Sequence, residues 1–230
     1  VDDTSNFDFK SAVRSPVSTF IAASASSQTN TIYMSIRPNS LPGRSVLTFT
    51  LSARMPFGGY TSIASVAVSV NAPPLAGTFM VTPSYGVEIT DPFTFLAEQW
   101  FDEELPLMYQ FGYVSTSGSE MTVRSKSSAA FGTATLPAGL SANNFTMSCY
   151  VAVFDSFAAA SSLKYTVQVI KEVARDSSKL SSIITAGLEE GSNSVDGLKQ
   201  STSLGSYLLN EVDCSGAPAD CADLNRQECF

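Results

Sequence analysis

The chain has 230 residues, 13 basic against 21 acidic side chains, a net charge of −8 and no histidine. That balance argues against nucleic acid as a partner, because phosphate binding needs clustered Lys and Arg to release counterions, and the sequence holds no such cluster. Without histidine, acid–base catalysis at neutral pH, Ser-His-Asp hydrolysis and His-ligated metal sites lose their commonest residue, so the expectation is a non-enzymatic protein without a cofactor.

A 44% hydrophobic content with only 15% charged residues, against about 25% in an average domain, is enough apolar mass for a core. The 36 serines and 19 threonines are a bias common in extracellular β-proteins, although ordinary loop and strand surface explains it equally well. No apolar run reaches the ~18 residues of a spanning helix. Val1-Asp2-Asp3-Thr4 has neither an initiating Met nor a signal peptide and reads as a piece cut from a longer chain.

In chain order, Ser24 to Thr29 reads as a loop, and an internal repeat begins at Leu41. Leu41-Pro42-Gly43 followed by Phe49-Thr50-Leu51-Ser52-Ala53 matches Leu136-Pro137-Ala138 followed by Phe145-Thr146-Met147-Ser148-Cys149. Each copy closes on a second alternating run, Val66 to Val70 and Tyr165 to Val169. A period near ~100 residues built of short alternating runs is the size of one immunoglobulin-like or fibronectin-like sandwich. The expected fold is therefore mostly β, with tandem fibronectin-III/Ig-like β-sandwiches. The first module covers 1–71 and has fewer clear strands, as an incomplete copy would; the second covers 72–170. Pro73 and Pro74 remove backbone donors and mark the boundary. Thr78–Thr82, Phe93–Leu96, Met108–Tyr113 and Glu120–Val123 supply the earlier strands of the second sandwich, with Pro83-Ser84-Tyr85-Gly86 as a turn.

After Ile170 the period changes to about three and a half. Ile170, Val173, Leu180, Ile183, Ile184 and Leu188 form one stripe, and Val195, Leu198, Leu204, Leu208, Leu209 and Val212 another, which predicts a helical hairpin over 171–212. Residues 171–230 carry a net charge of −5 and residues 1–170 only −3, so the acidity concentrates in this tail, where a solvated helical face explains it.

Val70-Asn71-Ala72-Pro73-Pro74-Leu75-Ala76-Gly77, Val81-Thr82-Pro83-Ser84-Tyr85-Gly86, Trp100-Phe101-Asp102 and Pro106-Leu107-Met108-Tyr109-Gln110-Phe111-Gly112-Tyr113 keep one order of motifs. In that order they resemble the REJ (receptor for egg jelly) module of polycystin-1-like and algal or protist surface proteins. The resemblance covers roughly 30 to 170. On their own chemistry these residues are structural: Trp100 plugs the space between sheets, Pro106 sets a turn, and Tyr109, Phe111 and Tyr113 alternate onto one strand face. The resemblance implies a large multi-domain extracellular protein, often ciliary or flagellar, that transmits adhesion or force. It also implies a cysteine pair at the positions of Phe79 and Ala97, so core packing must here replace a staple worth about 2–5 kcal/mol. The segment 213–230 is similar to the start of cysteine-rich, EGF-like regions. In an exported protein its cysteine density favours a Cys214–Cys221 disulfide over a zinc site, leaves Cys229 without an evident partner, and sets Cys149 apart as a buried strand thiol.

Asn144-Phe145-Thr146 is the one N-glycosylation sequon, although it abuts a strand. Asp102, Glu103 and Glu104 carry oxygens of the kind calcium takes, but no second acidic loop is spaced to complete six to eight ligands, so a solvated turn is expected. Two functions remain. One is a structural or adhesive module whose partners are neighbouring domains or copies of the same protein. The other is a receptor module that binds glycan or a cell-surface protein through loops such as Phe57-Gly58-Gly59-Tyr60 and Phe154-Asp155-Ser156-Phe157.

Overall fold

The computed structural model describes residues 7–19, 31–55, 59–172, 182, 184–186, 189 and 194–210. The chain divides into two compact units, Val1–Ala72 and Pro73–Phe230. In the first, a short helix α1 (Phe9–Ala12) precedes strands β1 (Ser45–Arg54) and β2 (Thr61–Val70), which pair antiparallel as a hairpin. The register sets Leu47 opposite Val68, Phe49 opposite Val66 and Leu51 opposite Ala64 on one face. Thr50 and Ser65 sit opposite each other on the other face, their hydroxyls 3.0 Å apart. The described strands of this unit are these two, and most of their side chains are exposed. The 24–29 segment lies outside the described residues.

The second unit is a β-sandwich. One sheet has the order β3 (Thr78–Thr82), β5 (Pro92–Glu98), β8 (Phe131–Thr135). The other runs β4 (Tyr85–Val87), β10 (Ala160–Ile170), β9 (Thr146–Phe154), β6 (Met108–Val114), β7 (Glu120–Ser127). All pairs are antiparallel except β4 with β10. The inner faces meet in a core that includes Phe93, Phe95, Phe111, Val151, Val153, Val167 and Val169. Phe79 and Ala97, the positions where a staple is expected in relatives, lie opposite one another across β3 and β5. Phe79 fills that space with its ring, which lies 6.4 Å from Phe95, 6.3 Å from Phe111 and 6.3 Å from Tyr165.

Three features differ from the sequence expectation. The turn at Pro83-Ser84-Tyr85-Gly86 is shorter than four residues, because Tyr85 and Gly86 already belong to β4; Gly86 has no side chain to collide with the Phe93 ring. Strand β8 gave no signal, since its inward positions are Gly132 and Ala134 rather than large apolar residues. Ile170 ends β10 instead of beginning a helical stripe. Of the remaining stripe positions, Val173, Leu180, Ile183, Leu188, the Leu209 side chain and Val212 lie outside the described residues.

Helix α2 (Val195–Asn210) is capped by Ser194, whose hydroxyl accepts the Gly197 N–H at 2.9 Å. Its contacts on the sandwich are largely polar. Asp196 accepts the Ser125 N–H at 3.0 Å, Gln200 donates to the Thr135 carbonyl at 3.2 Å, and the Ser203 and Tyr113 hydroxyls lie 3.2 Å apart. Tyr207 donates to Glu88 at 2.9 Å, and Leu208 supplies a fully buried apolar contact. β7 and β8 are the edge strands of their sheets, and α2 covers both.

Candidate interaction surface at the loop end of the sandwich

The lead-in segment of the second unit, the β5–β6 connection and the β9–β10 turn converge at one end of the sandwich. Leu75 and Phe101 exchange backbone hydrogen bonds, the Leu75 N–H to the Phe101 carbonyl at 2.8 Å and the Phe101 N–H to the Leu75 carbonyl at 3.4 Å. Gly77 permits this close approach, since any side chain there would meet the Glu98 carbonyl oxygen. The Ser156 N–H donates to the Glu104 carbonyl at 3.1 Å, and the Ser161 hydroxyl donates to the Pro74 carbonyl at 2.7 Å. Pro74 is buried, whereas Pro73 is exposed at the boundary between units.

Two buried aspartates shape the loops. Asp155 accepts the N–H groups of Phe157 and Ala159 on one oxygen, at 2.9 and 2.8 Å, and so closes the β9–β10 turn. Asp102 accepts the Glu104 N–H at 3.1 Å and is buried, unlike the solvated turn residue expected from the sequence. The single tryptophan faces inward: Trp100 is 8% exposed and donates its indole N–H to the Thr78 carbonyl at 3.2 Å. With Trp100 turned in, the next residue turns out. Phe101 is 58% exposed, and Leu75, Leu105, Phe131 and Phe157 at the same end are 50, 66, 59 and 72% exposed. Scattered exposed apolar side chains are ordinary on a protein surface; here Leu75, Phe101, Leu105 and Phe157 stand on loops joined by hydrogen bonds, with Phe131 at the start of β8, and give this end an apolar patch.

The rim of this patch is acidic. A hydrogen bond with Asp102, then loss of solvation, and then repulsion from Asp102 and Glu103 hold the Glu104 carboxyl above its ordinary range. Among the described residues no group of three His, Cys, Asp or Glu side chains is placed to hold a metal ion. Lys126 sits over the Phe154 ring, 3.4 Å from its centre, and supports the turn from the side.

The other expected sites lie elsewhere. Phe111 and Tyr113 are buried in the core and Tyr109 packs partly buried against it, with register shifts at Phe111 that re-aim the strand. Cys149 is a fully buried free thiol whose pKa burial pushes up to about 12. Asn144 is exposed in a left-handed conformation, φ 54°, just after a single 3-10 turn (Ser141–Asn143). In the other expected recognition loop, Phe57 and Gly58 lie outside the described residues, as do Cys214 and Cys221; Gly59 has φ 74° and Tyr60 is 79% exposed. A crevice of about 500 Å³ runs between β8 and α2, lined by Thr133, Thr135, Gln200 and Leu204 among others. No helix among the described residues is long and apolar enough to cross a membrane.

No curated protein matches the chain in sequence. Among solved structures it is similar to one described as "Structural basis for the promiscuous specificity of the carbohydrate-binding modules from the beta-sandwich super family", with 21% identity and a TM-score of 0.35. That match covers 46% of this chain and 38% of the other. The family model of the REJ domain matches residues 3–205, and the chain belongs to the REJ domain family.

Proposed function

We propose that this chain is a non-catalytic structural and adhesive module of a large extracellular, cell-surface or flagellar-filament protein, acting through contacts with neighbouring domains or copies. The observation that carries the reading is the apolar loop end, where Leu75, Phe101, Leu105, Phe131 and Phe157 stand exposed. Covering one such side chain is worth about 1.5–3 kcal/mol, so a partner that covers several gains enough to offset the cost of association. A second reading, a receptor that binds glycan through the same loops, is favoured by Phe157, whose exposed ring offers a face on which a sugar could stack. Light scattering across a concentration series, paired with retention on immobilised glycans, separates the two. The structural reading expects association that a Phe101→Ser, Leu105→Ser, Phe157→Ser variant loses, while a monomer retained on glycan contradicts it. The extracellular reading also expects an N-glycan on Asn144 and a disulfide between Cys214 and Cys221, both tested by peptide mass mapping.

A further inference from the structure

We infer that the first N-acetylglucosamine of a glycan on Asn144 seats in the crevice beside the sequon and so joins the β6–β7 turn to the 139–143 loop. The inference rests on the extracellular reading above and extends it from the presence of a glycan to its place and effect. Asn144 is exposed, and no described residue hydrogen-bonds its side-chain amide, the group that takes the sugar. The backbone that carries it is held in place. The Asn144 N–H donates to the Ser141 carbonyl at 3.1 Å, the Gln168 side-chain amide donates to the Asn144 carbonyl at 2.9 Å, and the Phe145 N–H donates to the Leu140 carbonyl at 2.9 Å. Asn is among the residues that most readily adopt the left-handed φ of 54° found there. A sugar on this side chain therefore starts from a fixed point.

Asn143 and Thr146, on either side of Asn144, line a crevice of about 340 Å³, within the size range of small-ligand sites. Consecutive Cα atoms are only about 3.8 Å apart, so a sugar ring on Asn144 starts within reach of the crevice wall. The lining matches a neutral sugar. Leu140, 45% exposed, and Val114 offer an apolar wall to the C–H face of the ring, while Ser115, Thr116, Ser148 and Thr166 offer hydroxyls to its polar edge. None of the described lining residues is charged. β9 runs from Thr146 to Phe154, so about 27 Å of strand separates this glycan from the β9–β10 turn and leaves the apolar loop end uncovered. The sandwich thereby carries a sugar-capped pole opposite its adhesive one.

Secreting the full chain from a eukaryotic host and mapping its peptides by mass gives the occupancy of Asn144. Hydrogen–deuterium exchange then compares three forms of the unsubstituted chain: with the whole glycan, trimmed by an endoglycosidase to a single N-acetylglucosamine, and made without glycan in a bacterial cytoplasm. The expected result is exchange about fivefold slower at the Gly118 and Ser119 amides in both sugar-bearing forms. A Leu140→Ser, Thr166→Glu variant, which keeps the sequon, should lose that slowing. Trp100 fluorescence reports that the variant keeps its fold, and the three unsubstituted forms decide the question if it does not. Equal exchange in all three forms, or slowing that vanishes on trimming, overturns the seat and leaves the extracellular reading standing. An unoccupied Asn144 overturns the seat and the glycan expectation of that reading together.

Discussion

Glu88 is fully buried and joins three parts of the second unit. One carboxylate oxygen accepts the Ala138 N–H at 3.1 Å and the Tyr207 hydroxyl at 2.9 Å, and the other accepts the Glu172 N–H at 3.1 Å. Removing it strands buried donors, so Glu88→Ala should cost about 3 kcal/mol and Tyr207→Phe about 1 kcal/mol in urea denaturation. Nothing in Gly86-Val87-Glu88-Ile89 announces this role, because an isolated Glu beside apolar residues reads as the outward position of a strand. The burial of Asp102 was not legible either, since a run of three acids has the composition of a surface turn. Glu104 gives a pH prediction. Its folded-state pKa is raised, so its contribution to stability is complete below the ordinary carboxylate pKa and is lost as pH rises through the raised one. Between about pH 4 and about pH 7 the unmodified chain should therefore lose stability relative to Glu104→Gln, measured as the difference in denaturation midpoints.

At the scale of elements, alternating apolar residues made much of the sandwich legible. Phe93-Thr94-Phe95-Leu96 and Met147-Ser148-Cys149 fall within β5 and β9 because their inward side chains are large enough to give a period of two. β8 was illegible because Gly132 and Ala134 suffice where the Arg124 side chain already fills the space beside them. Of the apolar stripe expected on α2, Leu208 is fully buried and Leu204 half-buried, whereas Val195 and Leu198 are 71 and 49% exposed, and the side turned to the sandwich also carries Asp196, Gln200, Ser203 and Tyr207. A polar face suits its position, since the strands it covers present unpaired backbone groups as well as apolar side chains. An Asp196→Ala, Gln200→Ala double variant should lose about 1–2 kcal/mol. It should also exchange the Ser125 amide hydrogen faster than the unmodified chain, by hydrogen–deuterium exchange; unchanged exchange would show that α2 does not guard that edge.

Across the whole molecule, the net charge of −8 proves to be unevenly shared: residues 1–72 are net positive, while the sandwich and the tail are both acidic. On the adhesive reading proposed above, that separation lets the two units attract partners of opposite charge. The REJ motif residues shape the loop end indirectly. Trp100 and Pro74 anchor the loops inside the unit, and their neighbours Phe101 and Leu75 are left facing outward. Hydrogen–deuterium exchange at low and high protein concentration tests the central claim most directly. The account predicts that amides of 101–105 and 155–159 gain protection as concentration rises, and that Phe157→Asp abolishes the gain. Exchange at those loops that is independent of concentration, with protection appearing on other surfaces or nowhere, would contradict it.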